Sequence, residues 1–481
     1  LAEPRAQRAL VSGAVYALAG ASQRALGLLL LPLYTRALTP AEYGDLSVIL
    51  SISTAIVILL ALGLDSALFR TYFGLQGDSY AQANLVWSAW VLTCVTAVAG
   101  CLVFTGAAFL LLQHNRLEPV DMALGVWSAG ALVISTTVPL TVLRAEQRLK
   151  DFITLTVISA ILTTGLTVTA VIVLDLGIEG WLLAAVTANA ISAVVAALII
   201  PFHRPHPMDW PHLRSALKIG VPLMPHFLSH WALQLADRAA LIGLVSASAV
   251  GIYSLTANLS LPAMIAVQSL NQGLMPMYAR AAHSADERKG IATVATTQLI
   301  IAASLCLICA VLLPPLVTVI APASFSGAAS LVPWLVLGYA FLGAYYIPMN
   351  SLSLVMGRTS FVWVTTASSA ALNLGLIYWL VPDHGLRAAA IASAAGYLLL
   401  LLGTTLYAVV LGSPVGLEWR RAITGLAAIV VVYAAFALLT PDEGVAGLAV
   451  RGGIVMAGAA VAGGLMMRRR DGRAPAEEAA G

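Results

Sequence analysis

Four polar residues, His226, His230, Gln234 and Asp237, recur at helical spacing inside an apolar stretch. At 100° per residue they lie within about 80° of one another, on one face of a helix. A second stripe aligns Tyr16, Gln23 and Tyr34, with Gly20 and Gly27 between them and Arg24 at its edge. A third runs through Ser47, Ser51, Thr54 and Asp65, and a fourth through Ser254, Asn258, Ser269 and Gln272. A polar side chain in a bilayer core costs a few kcal/mol unless it faces water or a partner, so such stripes mark a hydrated path. The four faces predict a water-filled cavity lined by the helices that carry them.

The chemistry open to this set is recognition and ion exchange. Arg24 has no inexpensive resting place at mid-membrane depth, and two readings stand. Its planar fork suits a phosphate-bearing substrate, or it forms a structural pair with Asp237 or Asp65. Asp65 and Asp237 are candidate H⁺ or Na⁺ coupling sites, or they pair with Arg70 and Arg238. The candidate substrate-binding residues are Tyr16, Gln23, Arg24, His226, His230, Gln234, Arg238, Asn258 and Gln272. His226 and His230 have metal-ligand spacing, but no third ligand follows at a suitable distance, so no metal is expected. The Ser and Thr residues also read as satisfying carbonyls one turn back. Phosphate-binding loops, His-Glu-x-x-His and Gly-x-Ser-x-Gly are absent, so neither ATP use, a cofactor nor a catalytic residue is expected.

The elements that must carry these residues are membrane-spanning helices. The chain is 60% hydrophobic and 10% charged, with mean hydropathy +0.91, whereas soluble domains run about 45–50% apolar and 25% charged. Unbroken apolar runs such as 161–174 and 422–439 exclude a β-barrel, which needs short alternating segments. Glycine, proline and charge punctuation predicts an all-α, polytopic protein of about fourteen transmembrane helices with no appreciable soluble domain. The spans fall near 10–33, 44–68, 85–112, 121–143, 153–174, 179–200, 217–242, 247–274, 291–313, 328–352, 360–381, 385–411, 421–440 and 446–467. The first is expected to be retained, because it carries Arg24 and lacks a small-residue cleavage site. The longest loops are expected at 201–216 and 278–290.

The count of fourteen rests on charge asymmetry. With both termini cytoplasmic, Arg36, Arg116, Arg387 and Arg451 fall outside and Arg24 and Arg238 within the membrane, leaving the other nineteen of 25 Lys and Arg residues inside. The net charge of +3 therefore reports topology, and no nucleic-acid partner is expected. Cys94, Cys101, Cys306 and Cys309 all fall in spans, where Cys packs as a small apolar residue.

An offset of 207 residues places Ala9, Leu10 and Gly13 on Ala216, Leu217 and Gly220, Ser22 on Ser229, and Gly44 and Ser47 on Gly251 and Ser254. This predicts parallel six-helix bundles at 1–200 and 201–411, two additional helices at 412–467, and a disordered cytoplasmic tail at 468–481. Arg468, Arg469 and Arg470 are expected to anchor the last helix at anionic membrane lipids.

Three motifs carry a family resemblance. Arg36-Ala-Leu-Thr-Pro-Ala-Glu-Tyr-Gly, Gly63-Leu-Asp-Ser-Ala-Leu-Phe-Arg-Thr-Tyr-Phe, and Asp237-Arg238 followed by Val250-Gly-Ile-Tyr-Ser-Leu resemble bacterial polysaccharide exporters. These are the O-antigen flippase (Wzx-type) branch of the multidrug/oligosaccharidyl-lipid/polysaccharide (MOP) superfamily. The resemblance implies two bundles rocking around a cationic cavity in the bacterial cytoplasmic membrane. They would move an undecaprenyl-(pyro)phosphate-linked oligosaccharide to the outer leaflet, with polysaccharide polymerase or assembly proteins as partners. Related lipid II flippases place several arginines in the cavity, whereas this chain offers chiefly Arg24 and Arg238. The alternatives are a multidrug antiporter of the same superfamily, a lipid II flippase, and a membrane-embedded glycan polymerase or ligase.

Overall fold

A computed structural model describes residues 26–75, 77–112, 117–200, 207–439, 447 and 449–453. Tyr16, Gln23, Arg24, most of the first and last expected spans and the 468–481 tail lie outside them. Among the described residues the chain is all-helical. The helices are α1 (Leu26–Ala37), α2 (Pro40–Ala61), α3 (Leu64–Gly74), α4 (Ser79–Leu111), α5 (Pro119–Ala145), α6 (Leu149–Val168) and α7 (Gly177–Ile199). There follow α8 (Trp210–Gly220), α9 (Met224–Leu241), α10 (Ala247–His283), α11 (Ala285–Ile320), α12 (Ala328–Asn350), α13 (Val362–Val410) and α14 (Trp419–Leu439). Nine helical segments among them are long and apolar enough to cross a membrane.

Within the described residues the expected spans lie on these helices, but several boundaries differ. The loop expected at 278–290 is nearly all helix: α10 runs on to His283 and α11 begins at Ala285. Tyr278, fully buried and bonded to Gln298 of α11, extends α10 beyond its apolar run. The loop expected at 201–216 likewise holds α8, which Asp209 caps by accepting from His212 N and which buries Leu213 and Ala216. The spans expected at 360–381 and 385–411 both lie in α13 and are divided as expected at Gly385 (φ 63°, ψ −155°), where the backbone leaves the helical region. Short π turns finish α6 (Thr169–Val173) and α12 (Ser351–Val355).

Two compact units divide the chain, Leu1–Ser254 with Thr366–Ala389, and Leu255–Thr365 with Ala390–Gly481. In the first, a core of Leu64, Leu68, Leu85, Val86, Val138 and Leu213 joins α3, α4, α5 and α8. Gly125 lets α5 approach α2, since a Cβ there would sit 2.5 Å from Ile49. α2 breaks at Leu62 and Gly63, both with positive φ. Gly63 is required twice over: a side chain would be strained there, and its Cβ would stand 2.7 Å from the Gly220 carbonyl carbon. α4 presents its long apolar side chains outward, with Leu102 61% and Val103 67% exposed, as a lipid-facing helix must. In the second unit, α10, α11 and α12 share a buried polar network. Tyr278 donates to Gln298 Oε1 at 2.7 Å, and Asn271 Oδ1 accepts from Gln298 Nε2 at 3.2 Å and from Asn350 Nδ2 at 2.7 Å.

Candidate substrate and ion sites

α9 positions four of the expected residues. Pro222 and Pro225 flank its entry, which a 3-10 turn (Val221–Leu223) separates from α8. Proline lacks the N–H a continuous helix needs, so the backbone is re-aimed where the polar face begins. Along that face the environment changes from open to closed. His226 and Gln234 are half-buried, His230 is exposed and Asp237 is buried. Gln234 Nε2 and His230 Nε2 lie 2.9 Å apart, in hydrogen-bond contact.

Asp237 closes the deep end. Its Oδ1 accepts from Arg238 N at 2.8 Å and its Oδ2 from Tyr253 Oη at 2.5 Å, the latter from the second turn of α10. Arg238 is 7% exposed, and its Nε has no hydrogen-bond partner among the described residues. A guanidinium desolvated this far is a standing demand for an acceptor.

α2 stands against α9 through a reciprocal contact. Ser51 Oγ donates to Leu235 O at 2.6 Å, while Trp231 Nε1 donates to Ser51 O at 2.9 Å. Sequence reasoning found Ser51 through its stripe and missed Trp231, which breaks no polar pattern and is recognisable only as a tryptophan needing an acceptor.

The other candidates are dispersed. Asp65 is exposed in the first turn of α3, where it accepts from Ser66 N. No ion pair joins it to Arg70 among the described residues. Asn258 (half-buried) and Gln272 (exposed) lie on α10 in the second unit. Among the described residues no group of three or more His, Cys, Asp or Glu side chains is arranged to hold a metal. The α9 face thus carries an exposed imidazole at His230 and a buried carboxylate and guanidinium at Asp237 and Arg238.

Solved structures place the fold. A lipid II flippase, MurJ, in an inward closed conformation superposes with TM-score 0.69 at 13% identity, over 87% of this chain and 92% of that one. A multidrug resistance MATE family transporter of the MOP superfamily, inward-facing, gives 0.66 at 15% identity over 81% and 94%. A MATE protein in its straight conformation gives 0.54 at 16% over 83% and 95%. No curated protein sequence matches significantly. The chain thus shares the multi-helix fold of these structures. Residues 10–282 match the family model described as polysaccharide biosynthesis protein, and the chain belongs to that family.

Proposed function

We propose that this protein flips an undecaprenyl-(pyro)phosphate-linked oligosaccharide from the cytoplasmic to the outer leaflet of the bacterial cytoplasmic membrane by alternating access. Two six-helix bundles, 1–200 and 201–411, rock around the central path, and 412–467 is appended. Both termini are cytoplasmic, and the reading contains no catalytic step. The observation that carries it is the α9 face, in a chain of the polysaccharide biosynthesis family. Hydroxyl-rich sugars suit the exposed His230–Gln234 pair, and the buried guanidinium of Arg238 suits a phosphate oxygen. Arg24 is the second phosphate contact. Asp237 and Asp65 couple the cycle to an H⁺ or Na⁺ gradient.

The test is reconstitution. Vesicles holding the protein and an undecaprenyl-diphosphate oligosaccharide on one leaflet should show gradient-dependent transfer to the other, read with an impermeant sugar-modifying enzyme. Transfer of lipophilic cations instead of the glycolipid would favour the antiporter. Arg24→Ala should abolish glycolipid transfer at normal abundance and Arg24→Lys should restore part of it. If Arg24→Ala/Asp237→Ala regains both abundance and transfer, Arg24 is half of a structural pair and not a phosphate site.

A further inference from the structure

α3 and α8 form an antiparallel pair within the first unit. They cross where each meets a break in the helix: a Cβ on Gly220 would lie 2.6 Å from Leu62 O and 2.9 Å from Gly63 O. α3 leaves this crossing and α8 returns to it, and between them they bury Leu64, Ala67, Leu68, Leu213 and Ala216. The sides turned away from that core carry matched lines at i, i+4 and i+8. Asp65, Phe69 and Phe73 on α3 are exposed, with exposed Arg70 beside them, and so are Trp210, Arg214 and Lys218 on α8. Counted from the crossing, Asp65 and Lys218 stand two residues away, Phe69 and Arg214 six, and Phe73 and Trp210 ten. Those levels fall at about 3, 9 and 15 Å along the pair.

Charge fixes where the membrane surface meets this pair. Residues 46–64 and 219–236 contain no Asp, Glu, Lys or Arg, and each run is about 27–29 Å long, close to the thickness of the hydrocarbon core. Asp65 and Lys218 therefore mark its edge, and the remainder of the pair passes through the headgroup layer into water.

We propose that the exposed side of the α3–α8 pair is a receiving site on the cytoplasmic surface for the diphosphate and first sugars of a lipid-linked oligosaccharide. The inference rests on the proposed flippase reading and its topology. The order of groups along the pair is the order of groups along such a substrate. A diphosphate lies at the membrane surface, where Lys218, Arg214 and Arg70 set three cations against the one carboxylate of Asp65. The sugars project further into water, where Phe69, Phe73 and Trp210 present rings. A ring face carries negative charge density and takes the C–H side of a pyranose, leaving the sugar hydroxyls to water. Phe69 and Phe73 are already arrayed, with centroids 4.8 Å apart and planes at 67°. A phospholipid headgroup would use the cations and leave the outer rings in water, so the glycolipid is the occupant that accounts for both levels.

Thiol protection tests this without depending on transport. In the full chain with its four cysteines changed to alanine, held in phosphatidylcholine nanodiscs, Ser215→Cys places a thiol on the exposed side of α8 beside Arg214. An undecaprenyl-diphosphate oligosaccharide should slow its reaction with a charged methanethiosulfonate several-fold, whereas exposed Lys289→Cys on α11 should react at an unchanged rate. Undecaprenyl diphosphate without sugar should protect less. Adding Phe69→Leu/Phe73→Leu, which keeps apolar bulk and removes the rings, should reduce the glycolipid's protection to that of the sugar-free lipid. Trp210→Leu gives the same comparison if the double variant fails to accumulate. Absence of protection by the glycolipid would overturn the site. Equal protection by phosphatidylglycerol would overturn it too, marking a surface for anionic lipid only, and undiminished protection in the leucine variants would overturn the role of the rings. Flipping separates the two readings. A parent chain that flips glycolipid while Ser215→Cys stays unprotected loses the receiving site alone, and one that does not flip counts against the proposed function while protection still judges the site.

Discussion

The Tyr253 hydroxyl donates to Asp237 Oδ2 at 2.5 Å, tying the second turn of α10 to the last turn of α9, with both residues buried. Tyr253→Phe removes the donor and leaves a carboxylate oxygen unmet. A loss of about 1–3 kcal/mol is expected, visible as a lower unfolding temperature in detergent. Adding Asp237→Asn to the Tyr253→Phe chain should recover part of it, because a neutral amide is less costly to desolvate. Equal stability of Tyr253→Phe and the parent would show that the hydrogen bond contributes nothing.

Ser51 and Trp231 form one contact, so their substitutions should not add. Ser51→Ala and Trp231→Phe each remove one donor between α2 and α9 and should each cost about 0.5–1.5 kcal/mol. The double variant should cost measurably less than the sum, since each change loosens the approach that the other bond needs. A double-mutant cycle on thermal unfolding measures this, and strict additivity would contradict it.

Asn271 is the shared acceptor of the α10–α11–α12 network. Asn271→Leu strands the amide donors of Gln298 and Asn350 in a buried site, at about 1–3 kcal/mol for each, and steady-state abundance should fall sharply. Tyr278→Phe, which removes one terminal donor, should be the milder change. The reverse ranking, measured by quantitative immunoblot, would show that the network is not centred on Asn271.

Arg451 supplies a bond that a proline withholds. Pro315 has no N–H to offer the Val311 carbonyl one turn back, and Arg451 Nη1 donates to that oxygen at 3.2 Å. Arg451→Met should therefore destabilise the parent more than it destabilises a Pro315→Ala chain, in which α11 can satisfy Val311 itself. Equal losses in the two backgrounds would refute the link.

Hydropathy made the spans legible because lipid contact demands apolar side chains along a whole helix, as on α4. It could not locate where helices end or break, since those points are set by local stereochemistry and by partners. Tyr278 extends α10 because Gln298 waits on another helix, and Gly63 breaks α2 where Gly220 needs room. The α9 stripe was legible in full, because helical periodicity alone brings His226, His230, Gln234 and Asp237 to one face. Its pairings were not. Asp237 meets Tyr253, a residue with no polar stripe of its own. Arg451, counted by charge on the outer side at the start of the last expected span, is buried in helix against α11.

The Ser51–Trp231 contact also sets a clock for biogenesis. Its two residues stand 180 positions apart, and ribosomes add about 5–20 residues per second. Once α2 has been made, about 10–40 s pass before α9 exists to meet it. Through that interval the Ser51 hydroxyl and the bare backbone at Gly44 have no final neighbour. The insertion machinery must therefore shelter an unfinished polar helix for longer than its own synthesis takes, and slowed translation between α2 and α9 lengthens that exposure directly.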